Sequence, residues 1–220
     1  MLSDKEKQHL QEVFDKSLDG EVKMVMFTQE FECETCKDTK EMLLELEQTS
    51  PRLKAEVYDF VKDKEKVKEF NIDKIPAIAL VDKKKNYLRF YGAPAGYEFT
   101  TLVEDIIDVS TGKTGLLPET KEKLQKISKP IHIQVFSTPT CPYCPQAVRL
   151  AHQSAIENDS IRADMVDVVE FPFLSQRYAV MSVPKTVINE AISFVGALPE
   201  ERFLEYVLAA QSKADSTMFI

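Results

Sequence analysis

The chain has 220 residues, of which 44% are hydrophobic and 29% are charged, with a formal net charge of −8 and a pI near 5.1. This length suits two domains of ordinary size, and an acidic chain without a basic cluster argues against nucleic-acid binding. The charged N-terminus and the absence of a long apolar run predict no secretory signal and no membrane association, and hence a cytoplasmic protein.

The first half of the chain predicts a helix, a βαβ unit, a hairpin and a closing helix. Ser3 and Glu6 have the spacing of a capping box, which predicts that a helix begins there. Hydrophobic periodicity and turn residues place the other elements. They are a helix to about Leu18, a strand at 22–28, a helix from Cys33 to about Gln48, a strand at 55–60, a short helix at 63–70, strands at 77–81 and 87–91 around a polar turn at 82–86, and a helix at 97–109.

The second half of the chain repeats this order at an offset of 108 residues. Residues 57–60 then align with residues 165–168, and both segments carry an aspartate at the end of a predicted strand. Such a long internal repeat indicates duplicated domains, 1–113 and 114–220, each α/β with a mixed central sheet and flanking helices. The predicted elements are helices at 119–127, 141–158, 171–178 and 199–211, strands at 131–137 and 162–169, a hairpin at 185–195, a linker at 110–118 and a loosely held tail at 213–220.

All four cysteines belong to two Cys-x-x-Cys motifs, Cys33 to Cys36 and Cys141 to Cys144. A disulfide across so short a loop stabilises a fold only weakly, which favours a redox role. Zinc or iron–sulfur binding is the alternative, but the two pairs are much further apart than the pairs of a zinc ribbon. The motifs therefore predict two redox-active disulfides without a bound metal or other cofactor.

The two thiols of each motif are expected to have different roles. Cys33 and Cys141 follow a strand and open a helix, where the positive end of the helix dipole favours an exposed, nucleophilic thiolate. Cys36 and Cys144 lie in the first turn and are the candidate resolving thiols. Tyr143 is expected to line the second site.

A proline follows each motif at the same distance, Pro76 43 residues after Cys33 and Pro184 43 residues after Cys141. We expect both to be cis and to place the backbones of Ile75 and Val183 beside the thiols, where an extended substrate peptide can pair with them. The strand-end aspartates are expected to be solvated.

The two sites differ in charge. Glu30, Glu32 and Glu34 surround the first pair with only Lys37 opposing them, whereas residues 138–145 contain no acid. Nearby negative charge opposes a thiolate, so the second pair is expected to have the lower thiol pKa and the more oxidising couple. Screening of exposed glutamates by solvent would weaken this difference.

The order of elements, the Cys141-Pro142-Tyr143-Cys144 tetrapeptide and the two proline hairpins resemble the glutaredoxin-like protein disulfide oxidoreductases of hyperthermophilic archaea and bacteria. The resemblance covers the whole chain and implies two tandem thioredoxin-like folds. It implies an enzyme that reduces, oxidises or isomerises protein disulfides through the four cysteines, with electrons from a thioredoxin-reductase-like flavoprotein.

Two alternatives stay open at this point. The N-terminal region of the alkyl hydroperoxide reductase flavoproteins also fuses two thioredoxin folds, which implies a domain that reduces a peroxiredoxin. A metal-binding Cys-x-x-Cys module is the other. The chain departs from thioredoxins because Phe27 and Val135 stand where those proteins carry a buried acid, so that proton acceptor is expected to be missing.

Overall fold

The computed structural model describes residues 2–81 and 87–216, so the predicted turn at 82–86 and the end of the predicted tail, 217–220, lie outside the described residues. The chain divides into two compact units. Unit 1 comprises Met1–Pro94 and Leu102–Lys113, and unit 2 comprises Ala95–Thr101 and Thr114–Ile220. Residues 95–101 therefore belong to the second unit, although they precede the boundary that the sequence predicts.

Unit 1 is a mixed sheet with helices on its faces. Its strands lie in the order β2, β1, β3, β4, with β1 parallel to β2 and antiparallel to β3, and β3 antiparallel to β4. Its elements are α1 (Asp4–Ser17), β1 (Val22–Thr28), α2 (Cys36–Glu47), β2 (Leu53–Asp59), α3 (Lys64–Glu69), β3 (Ala77–Val81), β4 (Tyr87–Tyr91) and most of α4 (Tyr97–Thr111).

Unit 2 repeats this arrangement. Its strands lie in the order β6, β5, β7, β8, with β5 parallel to β6 and antiparallel to β7, and β7 antiparallel to β8. Its elements are the first turn of α4, α5 (Pro118–Gln125), β5 (Ile131–Ser137), α6 (Cys144–Glu157), β6 (Ile161–Asp167), α7 (Pro172–Arg177), β7 (Lys185–Ile188), β8 (Ile192–Val195) and α8 (Glu200–Ser216). The predicted α/β class with mixed sheets and flanking helices is confirmed.

The central strand of each unit is almost completely buried. Met24, Met26 and Phe27 of β1 have no exposed surface, and neither do Val135 and Phe136 of β5. Burying one such side chain stabilises the fold by about 1.5–3 kcal/mol. These apolar strands therefore make each sheet a rigid platform for the loops at its ends.

The predicted bounds differ from the observed ones by a few residues at helix ends and at the ends of β2 and β6. The capping box at Ser3 and Glu6 is confirmed. The first part of the tail predicted at 213–220 is helical, because α8 continues to Ser216. Among the helices of the described residues, none has the length and apolar character needed to cross a bilayer.

Candidate active site

In unit 1 the strand register brings the candidate site residues to one end of the sheet. Thr28, the last residue of β1, pairs with Asp59 of β2, and Phe27 pairs with Ala77 of β3. Pro76, which precedes Ala77, therefore lies at the same sheet end as the loop that leaves Thr28 toward Cys33. The predicted site residues of unit 1 therefore lie at this end of the sheet.

Unit 2 has the same register. Ser137 of β5 pairs with Asp167 of β6, and Phe136 pairs with Lys185 of β7. Pro184 precedes Lys185 and so lies at the end of the sheet where the loop toward Cys141 begins. The duplication seen in the sequence is therefore a duplication of the site.

Both cysteine pairs are disulfides, Cys33 with Cys36 and Cys141 with Cys144. The helices begin three residues later than predicted, at the second cysteine of each pair. At the second site the backbone N–H of Cys144 donates a hydrogen bond to the Sγ of Cys141 at 3.1 Å. An N–H group at a helix start that points at sulfur stabilises a thiolate when the disulfide opens.

The exposure of the cysteines only partly follows the prediction. Cys36 and Cys144 are 2% and 1% exposed, which suits the resolving role. Cys33 is partly exposed, but Cys141 is only 7% exposed, so the prediction of an exposed attacking thiol is wrong for the second site.

The peptide bonds Ile75–Pro76 and Val183–Pro184 are both cis. The carbonyl oxygen of Pro76 accepts a hydrogen bond from the N–H of Gly92 at 3.0 Å, and that of Pro184 accepts one from Gly196 at 2.8 Å. These bonds attach each proline to its own hairpin. The predicted contact of Ile75 and Val183 with substrate stays a prediction.

In each unit a cationic side chain donates hydrogen bonds to backbone carbonyl oxygens of the segment that precedes the cis-proline. The Arg89 side chain donates to the carbonyl oxygen of Phe70, with Nε at 3.0 Å and the second terminal nitrogen at 2.9 Å. The Lys185 Nζ donates to the carbonyl oxygens of Tyr178 and Ala179 at 2.6 and 3.1 Å. Both cations lie at the ends of short helices, where unpaired carbonyl oxygens need donors.

The surroundings of the two pairs differ as the sequence predicts, with one addition. Glu30, Glu32 and Glu34 are exposed around the first pair. Lys40 is a second cation there, because it lines the same groove as Cys33 and Cys36. The sequence prediction of a single opposing lysine was therefore incomplete.

The rim of the second site is apolar. Tyr143, which lies between the two cysteines and precedes α6, is 69% exposed, and Met181, three residues before Pro184, is 91% exposed. Large exposed apolar side chains beside a reactive group commonly mark a contact surface for a partner. Whether Tyr143 contacts substrate stays a prediction.

A buried carboxyl group lies beside the second site, which the sequence reading missed. Glu98 is 2% exposed, and neither of its carboxylate oxygens has a hydrogen-bond partner of good geometry in the described part of the chain. Burial raises the pKa of Glu98 to about 8, the charge of Asp167 adds to this rise, and the neighbouring Ser137 side chain partly offsets it. Glu98 lies on α4, not at the strand position of the thioredoxin acid, where Phe27 and Val135 are both buried.

The strand-end aspartates also differ between the units. Asp167 is 2% exposed, so the expectation of a solvated acid is wrong there. Burial raises the pKa of Asp167 to about 6, although the N–H of Val169 donates to its Oδ1 at 2.8 Å. The backbone N–H of Lys62 instead holds the pKa of Asp59, which is partly exposed, below its usual range.

No group of three or more metal-ligating side chains occurs among residues 2–81 and 87–216. The two sulfur atoms of each pair are bonded to one another. The described geometry supports disulfide exchange more strongly than metal binding.

Comparison with known proteins agrees with this geometry. A family model described as a thioredoxin domain matches residues 131–209. A thioredoxin of Methanocaldococcus jannaschii is 35% identical over 78 residues, which are 35% of this chain and 92% of that protein.

Two further relatives match both halves of the chain. A protein disulfide oxidoreductase from Aeropyrum pernix K1 has a similar structure, with a TM-score of 0.91 and 36% identity over 97% of this chain and 95% of that one. An alkyl hydroperoxide reductase of Staphylococcus aureus is 27% identical over 161 residues, 71% of this chain. The match spans only 28% of that larger protein.

Proposed function

The chain belongs to the thioredoxin-fold protein disulfide oxidoreductases. We propose that both of its cysteine pairs exchange disulfides with a substrate, and that the two cysteines of each pair have different roles. Cys33 and Cys141 attack a substrate disulfide, and Cys36 and Cys144 resolve the mixed disulfide. The observation that carries this proposal is the formed disulfide at each helix start, with the second cysteine nearly inaccessible.

The proposed substrates are proteins that contain disulfides, and they bind in an extended form beside Ile75–Pro76 and Val183–Pro184. Support comes from the strand register, which puts both prolines at the sheet end from which the cysteine loops leave. An edge of this kind offers backbone groups to a peptide strand. Reduction, oxidation and isomerisation all use this same exchange of thiols.

Electrons are proposed to come from a thioredoxin-reductase-like flavoprotein, with no cofactor bound to this chain. A second candidate function is the reduction of a peroxiredoxin, which the similarity to the alkyl hydroperoxide reductase supports. All four cysteines occur in the two pairs, which suits the reducing cytoplasm. The charged composition and the archaeal relatives support a thermophilic source.

The division of roles predicts that Cys144→Ser traps substrate. The Cys141 thiolate would attack a substrate disulfide, form one S–S bond and release one substrate thiolate, and the missing Cys144 thiol could not break the new bond. We expect a covalent adduct with insulin chains on non-reducing gels, in a background of Cys33→Ser and Cys36→Ser. Cys141→Ser in the same background is the control and should trap far less. Equal trapping by the two variants would contradict the assigned roles.

The charge difference predicts that the Cys141–Cys144 couple is more oxidising than the Cys33–Cys36 couple. The N–H bond to the Cys141 Sγ stabilises the reduced form of the second pair, whereas acids around the first pair oppose it. We expect a difference of about 30 mV or more, equivalent to about 1.4 kcal/mol for two electrons. Redox equilibration of each pair, with the other changed to serine, measures it. A more oxidising first couple would show that the acidic side chains do not control the potential.

A further inference from the structure

Met181 is the large apolar side chain with the greatest exposure in the described part of the chain. It is 91% exposed, whereas Met24, Met26 and Met165 have no exposed surface and Met42 is half-buried. Oxidation of a methionine to its sulfoxide requires that the oxidant reach the thioether sulfur. Among the described methionines, Met181 is therefore the one that an oxidant in solution reaches most easily.

The loop that carries Met181 is anchored directly before it. The N–H of Val180 donates to the carbonyl oxygen of Ser175 at 2.8 Å, and the Lys185 Nζ donates to the carbonyl oxygen of Ala179 at 3.1 Å. Ala179 has a φ of +48°, a left-handed conformation that alanine rarely adopts and that surrounding contacts must hold. The backbone is therefore held in a defined turn before Met181, from which the side chain extends into solvent.

This loop lies at the second redox site. Lys185 pairs with Phe136 near the end of β5, where the loop toward Cys141 begins. Four residues of chain span at most about 14 Å, so Met181 lies within that distance of Lys185. Tyr143, between the two cysteines, is 69% exposed. A protein substrate that covers the second disulfide therefore also covers the Met181 side chain.

The first site has no thioether at the corresponding position. In the repeat, Met181 corresponds to Asp73 and Tyr143 corresponds to Thr35. Asp73 is exposed, and its carboxylate pairs with the ammonium group of Lys74. A peroxide can therefore change the polarity of this position at the second site but not at the first, which serves as an internal comparison.

The cysteines of the second site compete little for a peroxide while they form a disulfide. Peroxides oxidise thiolates, and a disulfide contains none. Cys141 and Cys144 are in addition only 7% and 1% exposed. In this state the Met181 thioether is the accessible group of the second site that a peroxide oxidises.

We propose that Met181 is a sulfoxidation site for peroxides, and that its sulfoxide lowers the activity of the second pair toward protein disulfides. The sulfoxide is polar, so a substrate that covers it loses apolar burial and must desolvate the S=O group. This inference rests on the proposed function of the second pair, because it names a modification that regulates the same exchange.

The oxidation is balanced by one molecule of hydrogen peroxide for each methionine. The Met181 sulfur attacks one oxygen atom of the peroxide, so that an S–O bond forms and the O–O bond breaks. The leaving hydroxide takes the proton of the sulfur-bound hydroxyl group and becomes water. The sulfur is oxidised by two electrons, and the peroxide is reduced to water.

The test uses the full chain with Cys33→Ser and Cys36→Ser, so that only the second pair reacts. The disulfide form is treated with hydrogen peroxide, the peroxide is removed, and mass spectrometry of peptides locates the added oxygen. We expect the Met181 peptide to gain one oxygen atom first. The kcat/KM for insulin reduction should then fall about tenfold, equivalent to about 1.4 kcal/mol, which is no more than a buried methionine side chain contributes. The rate at which dithiothreitol reduces the Cys141–Cys144 disulfide should not change, which shows that the pair itself is intact.

Two substitutions separate Met181 from the other methionines. Met181→Leu removes the thioether, so peroxide should leave the insulin rate of this variant at its value before treatment. Met42→Leu, at the half-buried methionine of α2, is the matched control and should lose activity after peroxide as its parent does. An equal loss in Met181→Leu would overturn the inference, and so would an unchanged insulin rate once Met181 is oxidised.

A variant with only the first pair separates this modification from general oxidative damage. It carries Cys141→Ser and Cys144→Ser, and the same treatment of its disulfide form should leave its insulin rate unchanged, because Asp73 has no sulfur to oxidise. An equal loss at the first pair would overturn the inference. Failure of the untreated second pair to reduce insulin overturns the proposed function of that pair, whereas insulin reduction that peroxide does not affect overturns the modification alone.

Discussion

Changing Cys141 and Cys144 to serine is expected to lower the rate of insulin-disulfide reduction by more than about tenfold, equivalent to about 1.4 kcal/mol of barrier. The second pair should carry most of this activity, because exposed apolar side chains flank it, because residues 138–145 contain no acid, and because a backbone N–H already points at the Cys141 Sγ. The corresponding change of Cys33 and Cys36 should have a smaller effect. Turbidity of precipitating insulin chains, with dithiothreitol as electron donor, measures both rates.

A variant with all four cysteines changed to serine is the reference for this experiment. Its rate should equal that of dithiothreitol alone, since no other group in the described site can exchange a disulfide. Its fold should persist, because each disulfide closes a very short loop and so adds little stability. Circular dichroism and the thermal midpoint check this. A quadruple variant that folds and still reduces insulin faster than dithiothreitol alone would contradict the enzymatic role of the cysteines.

Much of the fold follows directly from the sequence because the signals are local. The strands at 22–28 and 131–137 have the predicted bounds, since each is a mostly apolar segment between turn residues. The cysteine and proline positions likewise follow from a spacing that repeats between the two halves. The register of the paired strands then brings the cysteine loop and the proline to the same end of each sheet.

The parts of the site that could not be predicted depend on packing between distant segments. Glu98 lies in the first turn of α4, where an acid is common because it favours the helix dipole. Its burial depends on Ser137 and Asp167, which are far away in the sequence. Asp167 and Asp59 align in the repeat but differ in exposure, so their burial also could not be predicted from the sequence around them. The glycine before Tyr97 was the available signal, because it permits a close approach to Pro139.

The buried Glu98 should make the stability of the protein fall as pH rises. Its pKa is about 8 in the folded chain and about 4.3 in an unfolded one. Between these values the folded state binds more protons than the unfolded state, so the free energy of unfolding decreases by up to about 1.4 kcal/mol per pH unit. Asp167, whose pKa is raised to about 6, contributes in the same direction at lower pH.

Glu98→Gln is therefore expected to flatten the pH dependence of stability. The amide occupies nearly the same space but cannot ionise, so the variant avoids the cost of a charge beside Asp167 and Glu170, the two acids that raise the pKa of Glu98 by their proximity. The variant should gain stability relative to the wild type from pH 5 to pH 8, by on the order of several kcal/mol. Urea unfolding at several pH values measures this difference.

The matched control is Glu12→Gln, which removes the same charge from an exposed residue of α1. It should leave the slope of stability against pH unchanged. If Glu98→Gln and wild type keep parallel slopes between pH 5 and pH 8, then Glu98 is ionised in the folded protein and its surroundings must provide a counter-charge. If the slope flattens, unit 2 holds a carboxyl group beside its redox loop that exchanges a proton near pH 8. Such a group can take up and return protons while the Cys141–Cys144 disulfide opens and closes, which the partly solvated Asp59 of unit 1, with its lowered pKa, cannot do at that pH.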